Sequence, residues 1–168
     1  MMKTPVLMLA LATSALAHAQ AKSSVKVKLN GETILLLGTT THRVMVKVHT
    51  HEAKAPEGTD LYELQRNSPC TASRIPCVLT DSLELSVNGH PVWTQYSAYA
   101  DLGDMGQLTL SRSGSDYLLT ITGGDAAGSY IAKLRFNQSR VLSRVVAPGE
   151  DSTQPSERTY YYNSKRFE

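Results

Sequence analysis

From residue 24 onward, apolar and polar side chains alternate with a period of two through most of the chain. Val25, Val27 and Leu29 alternate with Ser24, Lys26 and Lys28, and Val44, Val46 and Val48 alternate with Arg43, Met45, Lys47 and His49. A strand points successive side chains to opposite faces, so this pattern predicts one-sided strands, and the β-branched residues suit them. Asn30-Gly31 is a tight-turn signal leading into residues 33–37. Further on, residues 83–87 and 90–96 flank Asn88-Gly89, the strongest hairpin signal in the chain. Residues 107–111 and 117–122 form a second pair around Ser113-Gly114. Gly123-Gly124-Asp125 turns the chain into a strand over 130–136, and strands over 141–146 and 159–162 follow.

The middle is less regular. Residues 53–58, with Pro56, read as loop, and 60–66 fit either a short helix or an edge strand. Asp60 and Glu63 have capping-box spacing, and Leu61 and Leu64 share a helical face. Short strands at about ten-residue spacing, joined by turn residues, predict an all-β fold, an antiparallel β-sandwich or barrel. A short helix near 60–66 is the one exception allowed for. No internal repeat and no boundary between two domains is visible, so residues 22–168 are expected to form a single β-rich domain.

Residues 1–21 do not belong to that pattern. Met1-Met2-Lys3 is a short basic start, residues 6–16 carry no charge, and Ala17-His18-Ala19 and Ala19-Gln20-Ala21 are small-x-small sites. This is the layout of a secretory signal cleaved after residue 19 or 21, which places the mature chain in the periplasm or the medium. No cysteine follows the apolar run to take a lipid anchor. No later stretch approaches the roughly 20 apolar residues of a membrane span, so no membrane insertion is expected.

Composition adds one constraint. The formal charge of +2 falls to about +1 without Lys3, and no run of consecutive basic residues occurs, which argues against a nucleic-acid partner. The two cysteines, Cys70 and Cys77, are expected to pair in an oxidising compartment. Pro69 and Pro76 keep their loop out of a central strand.

Candidate chemistry is sparse. His49 and His51 lie two apart at a strand end, so both imidazoles share a face, the geometry that a zinc or copper site on a sheet would use. His42, His90, Glu52 and Glu63 are candidates for a third ligand, and nothing in the pattern fixes any of them nearby. The competing reading is two exposed polar residues before a loop. No Gly-x-Ser-x-Gly elbow is present. Asp101, Asp104, Asp116 and Asp125 fall in or beside turns, where Asp is favoured for backbone reasons. The chain also lacks an EF-hand loop and a phosphate-cradling glycine loop before a helix.

Ser113-Gly114-Ser115-Asp116-Tyr117 resembles the Ser-Gly-x-x-Tyr loop of periplasmic inhibitors of C-type lysozymes. Gly124-Asp125-Ala126-Ala127 is similar to that family's second segment, Gly-Asp-x-Ala. The resemblance is confined to residues 113–127, and Ile121, Thr122 and Gly123 stand where that family has a Trp and a Lys. Those inhibitors are small exported β-barrels whose loops enter the lysozyme cleft. The resemblance implies a binding role for Ser113, Gly114 and Tyr117. Trp93, Tyr96 and Tyr99 cluster in sequence, and Tyr160, Tyr161 and Tyr162 are consecutive, so at least one of the last three is expected on the surface.

The sequence therefore points to an exported non-catalytic binding protein with a protein partner and no cofactor, such as an inhibitor or protective partner of a secreted lysozyme. The alternative is a metal-binding protein or metal-dependent hydrolase using His49 and His51. If Cys70 and Cys77 are bonded, thiol titration of the unfolded, unreduced mature chain finds no free thiol; two free thiols would refute the pairing. Closing so short a loop contributes about 2–3 kcal/mol.

Overall fold

The computed structural model describes residues 21–54 and 76–162. The secretory-signal pattern up to residue 20, the segment 60–66 and Cys70 lie outside the described residues. Among the described residues, ten strands form two antiparallel sheets: β1 (Lys22–Lys26), β2 (Gly31–Gly38), β3 (Arg43–Ala53), β4 (Cys77–Val87), β5 (His90–Val92), β6 (Met105–Ser113), β7 (Asp116–Gly123), β8 (Tyr130–Phe136), β9 (Val141–Pro148) and β10 (Glu157–Tyr160). The larger sheet runs β1-β6-β7-β8-β9-β10 and the smaller β2-β3-β4-β5. Neither closes on itself, so the architecture is a sandwich.

The period-two pattern becomes the core. The smaller sheet turns Leu35, Leu37, Val44, Val46, Val48, Leu83, Leu85, Val87 and Val92 inward; the larger answers with Leu108, Leu110, Leu119, Ile121, Ala132, Leu134 and Phe136. Each buried aliphatic of this size contributes about 1.5–3 kcal/mol relative to exposure. The Asn88-Gly89 hairpin forms as expected, with both residues at positive φ (53° and 81°), the conformation of a type I′ turn. Asn30-Gly31 does turn the chain, but β1 and β2 fall in different sheets, so this is a crossing between layers. Buried Thr50 holds it by donating its hydroxyl to the Lys28 carbonyl at 2.7 Å.

The strand expected over 90–96 ends at Val92. Trp93 leaves the smaller sheet: its N–H donates to the Ser139 carbonyl at 2.8 Å, and its own carbonyl accepts from Val141 N–H at 3.0 Å. The chain then runs as a connection over 94–104, with one 3-10 turn at Tyr96–Ala98, and buries Ala98 and Leu102 in the core.

That connection lies over the inner face of β9 and is fastened there by Arg144. In register, Arg144 of β9 lies opposite Leu134 on one side and Thr159 on the other, so it faces inward, 3% exposed. Its guanidinium grips Asp101 with two 2.6 Å bonds and donates to the Ser97 carbonyl at 2.8 Å, and Glu157 lies 3.3 Å away. Desolvation alone would lower the Arg144 pKa, yet the Asp101 and Glu157 carboxylates raise it. At Asp101, desolvation pushes upward and Arg144 more than reverses it, holding the carboxyl below its usual range. A bidentate guanidinium–carboxylate pair is geometry-specific, and losing either partner strands a buried charge.

The far end of the connection is tied to β4. Asp104 donates its N–H to the Val78 carbonyl at 2.7 Å, and its carboxylate accepts the Val78 N–H at 2.9 Å. Thr80 donates to the Leu102 carbonyl at 2.7 Å. Asp104 thus stands in for a neighbouring strand. Its carbonyl also accepts the Gly124 N–H, and a side chain at adjacent Gly123 would strike the Tyr130 hydroxyl. Tyr130 itself donates to the Gly103 carbonyl at 2.8 Å. Burial first, and then Asp104 and Asp101, raise its phenol pKa well above the ordinary range.

Candidate functional site

The outer face of the smaller sheet carries most of the candidate chemistry. Reading across β2, β3, β4 and β5 in register, one row is Leu36, Met45, Ser86 and Pro91. The next row is Ile34, Lys47 and Glu84, and the next is Glu32, His49 and Ser82. The face therefore runs from apolar at one end to ionic at the other. Ile34 is 47% and Leu36 39% exposed. Lys47 sits 2.9 Å from Glu84 and 3.7 Å from Glu32. The hydrogen bond to Glu84 is the main reason its ammonium pKa is raised.

At the ionic end the register shifts between His49 and Thr50, leaving Asp81 as an extra residue on β4. Such a bulge re-aims side chains. It keeps Thr50 and Thr80 inward, where their hydroxyls hold the β1–β2 crossing and the 94–104 connection. It also sends Asp81 outward between the two histidines. His49 Nδ1 lies 2.8 Å from one Asp81 oxygen, and His51 Nδ1 lies 2.6 Å from the other. Desolvation raises the Asp81 carboxyl, but the hydrogen bonds from His49 and His51, with their charge, hold it below the usual carboxylate range.

This shared carboxylate dictates what the histidines can do. An ionised carboxylate only accepts, so each Nδ1 carries the proton and each Nε2 of a neutral ring presents a lone pair. That is the outer-sphere arrangement used to orient metal-ligating histidines and to hold a general base in one tautomer. The expected third ligand is not found: among the described residues no group of three or more His, Cys, Asp or Glu side chains is suited to a metal ion. The register puts His90 beside Val87 and Val44, near His42 at the opposite end of the sheet. Glu63 lies outside the described residues.

The Ser113–Tyr117 segment forms the β6–β7 hairpin tip, with Ser113 opposite Asp116 and Gly114 at φ 62°. Ser113, Gly114 and Ser115 are exposed. Asp116 is buried and accepts from Arg135 Nε at 2.7 Å. Tyr117 is half-buried, its ring 5.4 Å from that of core Phe136. The tip is therefore held rigidly, with Tyr117 as an anchor rather than a projecting contact. Cys77 is fully buried and is not a free thiol. Of the three consecutive tyrosines, Tyr160 and Tyr162 are exposed and Tyr161 is buried.

Sequence reasoning missed Asp81 because the parity of Leu83, Leu85 and Val87 assigns position 81 to the core face. A charged residue at a core-parity position was the available signal of a bulge. It also missed a cleft of ≈ 580 Å³ beside β5, between Met45 and Pro91 of the outer face and Trp93, Thr94 and Ser139. The cleft exists because Trp93 crosses to the other sheet, which the alternation of 90–96 does not reveal.

Comparison of the chain with protein-family models, curated proteins and solved structures finds no match.

The Asp81 bridge has a spectroscopic consequence. With both rings neutral, nitrogen-15 shifts should show Nδ1 protonated and Nε2 bare in His49 and His51 alike. In Asp81→Asn the amide offers one acceptor and one donor group, so one ring should switch to the Nε2–H tautomer. Two rings with mixed tautomers in the unaltered chain would contradict the bridge.

Proposed function

We propose that the chain is an exported, non-catalytic binding protein that engages its partner through surfaces presented by the sandwich. The observation that carries this reading is the outer face of the smaller sheet, where Ile34, Leu36 and Met45 adjoin one another at β2, the edge strand among the described residues. A contiguous apolar patch of this kind, rimmed by charge, is the usual mark of an interaction site. The rigid Ser113–Ser115 tip is a second presented surface and is the one that the lysozyme-inhibitor resemblance selects. Export rests on the N-terminal signal pattern, and a closed Cys70–Cys77 loop accords with it.

A second reading is supported by the Asp81 bridge: zinc or copper held by His49 and His51 through their bare Nε2 atoms. Metal retained stoichiometrically by the purified chain, and lost when both histidines become Ala, would establish it over the first.

The binding reading is tested by adding the full chain to a C-type lysozyme and by capturing partners from envelope and culture medium. Inhibition at micromolar protein, lost in Ser113→Arg and kept in Leu36→Glu, assigns the partner to the hairpin tip. Capture of a partner that is lost in Leu36→Glu alone assigns it to the open sheet. Absence of both inhibition and variant-sensitive capture would refute the proposal. Both substitutions lie on the surface and should change stability by no more than about 0.5 kcal/mol.

A further inference from the structure

The chain has one tryptophan, and it is 49% exposed. Two main-chain hydrogen bonds, to Ser139 and Val141, fix Trp93, and it lines the ≈ 580 Å³ cleft. That volume falls within the ordinary range for small-molecule sites, about 300–1,000 Å³. Met45 and Pro91 stand among the other walls, and the polar side chains of the lining are those of Glu84, Ser86, Thr94 and Ser139.

Charge narrows the occupant. Glu84 is 2.9 Å from Lys47, which itself does not line the cleft. The cleft thus offers an anion no cation, while the charge of Glu84 is already offset for a cationic ligand. What remains is a set of hydroxyl-matching groups around a flat aromatic face. An added peptide strand fits poorly. The β5 strand already occupies the edge of β4 at 85–87, and residues 102–104 bond to it at Val78 and Thr80. Only residues 81–84 are left, too few for a ladder of typical length, about five or six residues.

We infer that this cleft binds a neutral saccharide, one ring of which lies on the Trp93 indole while its hydroxyls bond to the Glu84 carboxylate and the Ser86 and Thr94 hydroxyls. The proposal rests on the binding-protein reading and names its ligand class. A pyranose has an apolar C–H face and a polar rim. The negative π face of indole attracts the polarised C–H groups, and a carboxylate accepts two neighbouring hydroxyls at once. Three residues further along, Tyr96 is 68% exposed, and its ring is set edge-on to Tyr99 at 5.5 Å. It does not line the cleft, and the saccharide proposal does not depend on it.

Because Trp93 is the only indole, its fluorescence reports the site directly. The full chain is titrated with chitotriose, cellotriose and maltotriose, followed by fluorescence and by calorimetry. At least one should give a saturable response with a dissociation constant of about 0.1–1 mM. By calorimetry, Trp93→Ala should weaken binding at least about tenfold and Trp93→Phe only about threefold, as stacking on a smaller ring requires. Glu84→Gln, on the exposed face, should weaken it about tenfold without altering the melting temperature, and it keeps the test decisive if Trp93→Ala does not fold. No response to any of the three sugars at about 10 mM would overturn the inference. So would binding indifferent to Trp93→Phe and Glu84→Gln, or a response to an extended peptide alone. A protein partner captured equally by the unaltered chain and by Glu84→Gln, with no sugar bound, would remove the saccharide site and leave the binding-protein reading standing.

Discussion

One sheet has six strands and the other four, and the inner face of β9 carries a buried arginine, Arg144, that must be given partners. The chain meets this constraint with the 94–104 connection, and what ties the connection down is the Arg144 guanidinium. Buried at 3% exposure, it faces the sandwich interior among residues that elsewhere in that layer are Leu, Ile and Phe. A lone charge there would be costly to desolvate, so it remains stable only because Asp101 and the Ser97 carbonyl come down to meet it. The requirement works both ways: the arginine needs its partners, and the partners bring with them the segment that seals the core. Arg144 Nε nonetheless lacks a hydrogen-bond partner among the described residues, so the network is tight at one edge and unsatisfied at another.

The features that offer binding chemistry follow from that closure. To reach β9, the chain must leave the smaller sheet after three residues of β5, and the early exit both opens the cleft and stands Trp93 at its wall. To seal the other side, residues 102–104 must dock on β4. The bulge at Asp81 turns Thr80 inward to receive Leu102, while Asp81 itself moves out between His49 and His51. A single irregularity in β4 therefore supports the core on one face and builds the His-Asp-His bridge on the other.

The regular part of this fold was legible along the chain, and the functional part much less so. Alternation marked β3, β6, β7 and β8 closely, and Asn88-Gly89 located its hairpin, because those elements answer to local rules of pleat and turn. The pairing of β1 with β6 was not visible, since a turn signal at Asn30-Gly31 does not say whether the chain returns to the same sheet. His49 and His51 were correctly placed on one face. Their partner was hidden by a frame shift that period-two reading cannot register. Tyr117 was a candidate contact by motif, yet its ring turns toward Phe136. Arg144 carried no signal at all: an arginine in Val141 to Val146 reads as a solvent-facing position until its register opposite Leu134 is seen to turn it inward.

Arg144 acts as the fastening of the connection rather than as a general contributor to the core. Native-state hydrogen exchange on Arg144→Met, which nearly conserves volume while removing the charge, separates the two. The amides of Ala98, Tyr99, Ala100, Leu102 and Asp104, whose acceptors lie in the connection or on Val78, should lose protection by about 100-fold. Those of Leu119 and Leu134 in the central strands should keep theirs nearly unchanged. Equal loss across both groups, or none in either, would contradict that fastening role.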